Sequence, residues 1–339
     1  MEGSCGPAGR FGLCLVYHDD YDLHLGAHIF PSQKYRLVRQ ALLESGRAVA
    51  EDFLTPEPAS DEDVLRVHTR EYVRKLKTGR LSPLELLRLE IPYSPELVRA
   101  VWLAAGGSIL AGRCALRDGL AANIGGGFHH AFPDHGEGFC VLHDVAIAIR
   151  RLQADGAIQT ATVIDTDVHQ GNGTAAIFAG DGTVFTFSIH QENNYPYPKP
   201  PSSLDIGLPD GIGDAAYLEA LEGGLRRALA SFHPDLIFYV AGADPYREDQ
   251  LGGLALTMEG LRERDRLVYA QARARGIPVA ITLAGGYARR VEDTVRIHVQ
   301  TLETAAAFAR GAAATAASGP GSAGRPATAS ADFTAGERP

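Results

Sequence analysis

Cysteine is scarce in this 339-residue chain. Cys5, Cys14, Cys114 and Cys140 are too few for a disulfide scaffold, and none are spaced as in a zinc finger. They read as reduced thiols of a cytoplasmic protein. Positive charge is also short: 32 Lys and Arg face 41 Asp and Glu, a formal net charge of −9. A phosphate backbone would be repelled, so direct nucleic-acid binding is not expected. The opening "MEGSCGPAGR" lacks the apolar core of a signal peptide. No apolar run has the length of a membrane span. Internal repeats and obvious linkers are missing too, which favours a single domain over residues 11–310, after a flexible leader at 1–10. Residues 311–339 are rich in Ala, Gly, Ser and Pro and poor in large apolar side chains. Such a segment cannot offset the entropy of ordering, so a disordered tail is expected.

What the chain does have is alternation. Hydrophobic residues make up 45% of it, enough for one large core. Short apolar runs, "GLCLVY" (12–17), "LAANI", "ATVID", "VFTFSI", "LIFYVA" and "PVAITLA", are followed by longer amphipathic ones. Helices are expected at 32–46, with Ser32 as cap, and over 60–79 with a break near His68. Another should start at Ser94-Pro95-Glu96, and more are expected at 144–155, 173–179, 214–231, 257–275 and 288–309. Apolar strands alternating with helices imply a mainly parallel β-sheet with helices on both faces, an α/β fold. In such a sheet, sites form beyond the carboxyl ends of the strands.

The polar clusters fall at those ends. "LAANI" runs into Gly125-Gly126-Gly127-Phe128-His129-His130. "ATVI" runs into Asp165, Asp167 and His169. "FYVAGA" precedes Asp244, and "ITLA" precedes Gly285-Gly286-Tyr287. Asp167, His169 and Asp244 form a three-ligand set that leaves a coordination position open, the pattern of catalytic zinc. Any one of these carboxylates alone reads equally well as a helix cap. If the backbone stays extended, 167 and 169 point to one side. His129 and His130 suit proton transfer, with Asp165 as a carboxylate partner orienting one ring. Tyr287 can present a phenol to a developing oxyanion. Phe139 and Tyr195 read as apolar walls, and Tyr197 as ordinary surface.

The ordered set "GGGFHHA", "GEGFCVLHD", "VIDTDVHQGNG", "SIH", "AGADP" and "LAGGY" resembles the histone deacetylase family over residues 12–308. "HIFPSQKYRLVRQALLESG" and "DVHQGNGT" look most similar to its class IV branch and bacterial relatives. The resemblance implies the single-domain arginase/deacetylase fold and a metal-dependent hydrolase removing acetyl or longer acyl groups from lysine. It assigns Zn2+ to Asp167, His169 and Asp244, and the hard N/O character of these ligands makes Fe2+ the other candidate. Catalytic roles go to His129, His130 and Tyr287, with Asp165 behind His129. A potassium site is implied at Asp165, Asp167, His169, Ser188 and Ile189. Gly138, Phe139, Tyr195, Gly285 and Gly286 are implied to line the substrate channel. The expected partner is an acyl-lysine peptide or protein, or an acylated small amine.

Three departures stand out. Tyr195 replaces a common Phe. Asn172 stands where class I members have the aspartate behind the second histidine, a feature shared by class IV relatives. An amide stabilises imidazolium less than a carboxylate does, so His130 should have the lower pKa of the pair. Leu142-His143 replaces a common Phe-Asn, and sequence alone gives His143 no role. A two-manganese arginase-like site is disfavoured because Gly171 falls where its further aspartate would be. An acetylpolyamine amidohydrolase is the nearer rival, and a catalytically inactive acyl-lysine binder the third reading.

Overall fold

A computed structural model describes residues 9–317. Residues 1–8 of the expected leader and 318–339 of the expected tail lie outside the described residues. In chain order the elements are β1 (Cys14–Val16), α1 (Gln33–Glu44), β2 (Phe53–Leu54), α2 (Asp61–Val64), α3 (Arg70–Thr78), α4 (Pro83–Leu89) and α5 (Pro95–Asp118). They continue with β3 (Leu120–Asn123), α6 (Asp144–Ala154), β4 (Ala161–Asp165), α7 (Asn172–Ile177), β5 (Val184–Gln191) and β6 (Leu204–Leu208). The last are α8 (Asp214–Ser231), β7 (Leu236–Val240), α9 (Met258–Arg273), β8 (Val279–Thr282) and α10 (Val291–Ala317).

The strands form one eight-stranded sheet in the order β2-β1-β3-β8-β7-β4-β5-β6, parallel at every pairing. The parallel ladder explains the continuous apolar runs. Every residue of β4 and β7 is buried, so neither face of these strands needs a polar residue. The helices pack in two sets, α5 with α6, and α1, α10, α9 and α8 in succession. The expected α/β sandwich is therefore the observed one.

Helix α5 shows how local signals set the frame. Ser94 caps it by accepting the Leu97 amide at 3.1 Å, Pro95 opens its first turn, and Gly119 closes it at φ 86°. By length and composition this helix could cross a membrane, which the sequence reading did not anticipate. Its apolar faces are spent on the protein's own core instead: Leu97, Val101, Leu103, Ile109 and Cys114 are all buried.

The break near His68 is real, with α2 ending at Val64 and Thr69 capping α3. Ser32 does not cap α1. Its hydroxyl donates to Asp22 and accepts the Leu23 amide. Three elements escaped the sequence pattern because they are short or half-exposed: α4, the two-residue edge strand β2, and the opposite edge strand β6, whose burial alternates. Helix α10 runs past the expected end near 309 to Ala317, so the first seven residues of the expected disordered tail are helical, through a stretch in which five alanines outweigh Gly311 and Thr315.

The consequence for function lies in the sheet order. Strands β3, β8, β7 and β4 are consecutive neighbours at its centre. Their carboxyl ends therefore deliver the four polar clusters to one place.

Candidate active site

Strand β4 ends at Asp165, and the chain then turns. The extended alternation expected for 167 and 169 does not persist. Two successive Asx turns replace it: Asp165 Oδ1 accepts the Asp167 amide, and Asp167 Oδ1 accepts the His169 amide, both at 3.1 Å. They fold Asp165, Asp167 and His169 around one point. Asp244, in the loop after β7, joins them because its Oδ1 accepts the Val168 amide at 2.8 Å.

Ligand atoms of Asp167, His169 and Asp244 lie within 4.8 Å of one another, and all three residues are buried. Asp244 Oδ2 has no hydrogen-bond partner among the described residues. A buried carboxylate oxygen in that state is costly without a cation. Gly285 is required beside it, since a Cβ there would collide with both Asp167 and Asp244. From the other side, the buried Arg264 guanidinium donates to the Gly242 carbonyl at 2.5 Å and fixes the approach to Asp244. Two carboxylates and an imidazole with an open side fit Zn2+, and equally Fe2+. Neither carboxylate caps a helix: Gly171 precedes α7 and offers no side-chain cap, and Thr257 caps α9.

The two histidines lie with ring centroids 4.0 Å apart, their planes tilted by 47°, yet their proton affinities shift in opposite directions. Burial opposes the charged form of both. For His129 that cost is outweighed by the Asp165 and Asp167 charges and a 2.7 Å bond from Nδ1 to Asp165, which push it up to about 9. His130 is pushed well below the ordinary histidine range by burial, then by the neighbouring His129 and His169. Its 2.7 Å bond to Asn172 works weakly the other way. The predicted ordering is met, but burial and positive neighbours set it more than the amide does.

Tyr287 stands across from the histidines, its ring 6.5 Å from that of His169 and 5.8 Å from that of Phe139. Burial, then the Asp167 and Asp244 charges, raise its phenol well above the usual range, so it stays protonated and able to donate. Its backbone is clamped: Asp249 accepts the Tyr287 amide at 2.7 Å, and Gln250 donates to the Tyr287 carbonyl. A cavity of about 330 Å³ opens onto these groups, lined among others by His130, Gly138, Phe139, His169, Tyr195 and Tyr287. Gly138 lies at φ 53°, and a Cβ there would press on the rings of His130 and Tyr195. Gly285 borders a small inner pocket beneath. Gly286, expected in the channel, is set back: a Cβ there would meet Thr294 and Ala243. Tyr197 is solvent-exposed, as its surface reading implies.

Several supports were not visible in the sequence. Asp144, fully buried, accepts the Gly127 and Phe128 amides and so shapes the turn that aims His129. Lys34, also fully buried, donates to the Ala284 carbonyl at 2.6 Å and sits over the Tyr287 ring at 5.6 Å. Nothing marked it beyond its being one cation in an amphipathic helix. His143 has a role after all. Its Nδ1 accepts the Ala146 amide and caps α6, so Nε2 carries the proton and donates to Thr174, whose own amide bonds the His129 carbonyl.

Behind His143, the buried His68 accepts the His143 amide at 3.0 Å. Burial holds the His68 imidazole down to about 4. Between pH 6.5 and 4 the unfolded chain thus binds a proton that the native state refuses. Stability is lost as pH falls through that window, by about 3 kcal/mol in all from this one group. Urea midpoints of the wild type and His68→Gln at pH 7 and pH 5 check this. The variant should show the smaller drop, and equal drops would assign the acid sensitivity elsewhere.

Of the residues expected around potassium, Asp165 and Ser188 stand side by side in the β4–β5 register, both buried, with Ile189 next along β5. Ser188 Oγ also bonds His190 Nδ1 at 2.9 Å.

Residues 28–302 match the family model described as the histone deacetylase domain. The chain is 44% identical over 288 residues to an uncharacterized protein of Picosynechococcus sp., covering 85% of this chain and 96% of that one. It is 30% identical to histone deacetylase 2 of Arabidopsis thaliana, over 84% of this chain and 78% of the relative. A crystal structure of an HDAC homolog complexed with SAHA superposes with a TM-score of 0.76 at 24% identity, covering 87% of this chain and 84% of that one.

Proposed function

The chain belongs to the histone deacetylase family, and from that premise we propose that it is a class IV-type lysine deacylase holding Zn2+ at Asp167, His169 and Asp244. One observation carries this reading. A buried Asp–His–Asp set, a protonated phenol and two histidines of opposite proton affinity come together, with His130, His169 and Tyr287 lining one cavity and His129 and Asp167 the small pocket beneath it. Fe2+ is the other metal the donor set admits. Potassium is proposed beside Asp165 and Ser188, where it would offset the buried charge of Asp165. Asn172 behind His130 supports the class IV assignment, since the sequence resemblance ties that feature to this branch.

When bound, the metal supplies Lewis acidity toward the acyl carbonyl and the attacking water. The chain's own residues do the rest. Tyr287 donates to the carbonyl oxygen as negative charge gathers there. His130, neutral, takes a proton from the attacking water. His129, held charged by Asp165, stabilises the anionic centre and can pass a proton to the departing amine. Phe139 and Tyr195 flank the alkyl stem of the substrate, and Gly138 leaves room for it. These assignments give each of the paired groups one protonation state suited to its task.

Glu90 also lines the cavity, so a cationic acylated polyamine is the second reading. The test is a profile of hydrolysis against N-acyl-lysine peptides of increasing chain length and against acetylated polyamines, with and without chelator. Chelator-sensitive cleavage of acyl-lysine is expected. Cleavage of polyamines alone would favour the second reading. Full-rate cleavage in chelator, or no cleavage of any acyl amide by the metal-loaded protein, would overturn the metal-dependent assignment.

A further inference from the structure

Resting on that deacylase reading, we propose that Glu137 is a positioning residue that sets the proton-accepting face of His130, acting through Asn172. Asn172 is nearly fully buried and bonded at both ends of its amide. One end is 2.7 Å from His130 Nδ1, the other 2.5 Å from Glu137 Oε1. An amide can be turned either way, but an ionised carboxylate only accepts. The atom of Asn172 facing Glu137 is therefore its NH2, and the atom facing His130 is its carbonyl oxygen. A carbonyl also only accepts, so His130 Nδ1 carries the hydrogen. Nε2 is left with its lone pair, free to take the proton of the attacking water. The carboxylate absent behind His130 is thus present one bond further out, where it fixes a tautomer without delivering its charge directly.

Other contacts hold Glu137 in that place. The Tyr195 hydroxyl donates to the same Oε1 at 2.8 Å, and His135 Nε2 lies 3.6 Å from Oε2. Glu137 is ionised, since the His135, Tyr195 and Asn172 bonds outweigh its burial and hold it below the usual carboxylate range. One oxygen therefore ties the channel wall, Tyr195, to the orientation of the base. Without it, the Asn172 amide can turn over. It would then offer NH2 to His130 and select the opposite tautomer, whose Nε2 is blocked by hydrogen.

The test uses the metal-loaded full chain in four forms: wild type, Glu137→Leu, Glu137→Gln and Tyr195→Phe. Leu removes both acceptor oxygens, while Gln keeps one. Glu137→Leu should lose on the order of 10- to 100-fold in kcat, and Gln should restore most of it. Tyr195→Phe removes only the wall hydroxyl and should show mainly as a rise in KM. The second readout is the ring 15N spectrum of His130. The Nδ1–H tautomer is expected in the wild type and Glu137→Gln, and a mixture or the Nε2–H form in Glu137→Leu. An Nε2–H tautomer in the wild type overturns the proposal even if Glu137→Leu does not fold. So does a Glu137→Leu variant with unchanged kcat and tautomer. A wild type that cleaves no acyl amide would instead sink the deacylase reading, while the 15N result still decides whether Glu137 sets the tautomer.

Discussion

Replacing Tyr287 by Phe is expected to lower kcat by about two to three orders of magnitude, roughly 3–4 kcal/mol of barrier, with KM changed only a few-fold. The phenol lies in a buried, low-dielectric site where a hydrogen bond to a developing oxyanion is worth far more than in water. Burial, then two nearby carboxylates, hold the phenol above its usual range, so it stays protonated and can donate. The ring itself packs against Phe30, Phe139 and the Lys34 ammonium, and Phe preserves all three contacts. The ground-state pocket therefore survives, and what is lost is an interaction made in the transition state. Steady-state kinetics on an acyl-lysine peptide, with affinity for a non-hydrolysed amide analogue measured alongside, separate the two. Wild-type turnover in the variant would remove Tyr287 from the reaction. A large loss of analogue affinity would make it a binding residue instead.

Asp244→Asn is expected to abolish both activity and metal retention without unfolding the protein. Asp244 Oδ1 holds the Val168 amide, a bond that an amide carbonyl can keep. Oδ2 makes no hydrogen bond among the described residues and has only the His169 ring nitrogen, at 3.5 Å, as an ionic neighbour, so its charge matters chiefly to a cation held with His169. The clearest readout is thermal. A metal that binds only the native state at a thousand times its Kd stabilises it by about 4 kcal/mol. Zn2+ should raise the Tm of the chelator-stripped wild type by several degrees and leave Asp244→Asn unmoved. Chelator-stripped, the variant should melt no lower than the wild type, because it lacks one buried charge. An equal zinc-induced shift in both proteins would place the metal elsewhere.

Much of this site was legible in the residues. The apolar runs before Gly125, Asp165, Asp244 and Gly285 marked four strand ends, and parallel strands send their carboxyl ends to one side of a sheet. Ligand chemistry could then be assigned by residue type alone. The supports were harder to see, because each is an ordinary polar residue whose partner is distant in sequence. Lys34 bonds a carbonyl 250 positions away, Glu137 an amide 35 away, and Asp249 an amide 38 away. Periodicity reports which face of an element is buried, not what a buried polar group meets there.

The sequence by itself determined the α/β alternation, the strand ends that carry the chemistry and the kinds of ligand they offer. Local propensity, burial patterning and side-chain chemistry act over a few residues and need no partner to be read. Only the tertiary structure decided how those groups behave. It replaced an extended strand by two Asx turns at Asp165 and Asp167, and gave His143 a cap and a bridge. It drove His129 and His130 apart in proton affinity and joined Asn172 to Glu137. Orientation, desolvation and charge–charge coupling depend on separations of a few ångströms between residues far apart in the chain, and those separations exist only once the sheet has brought its strands together.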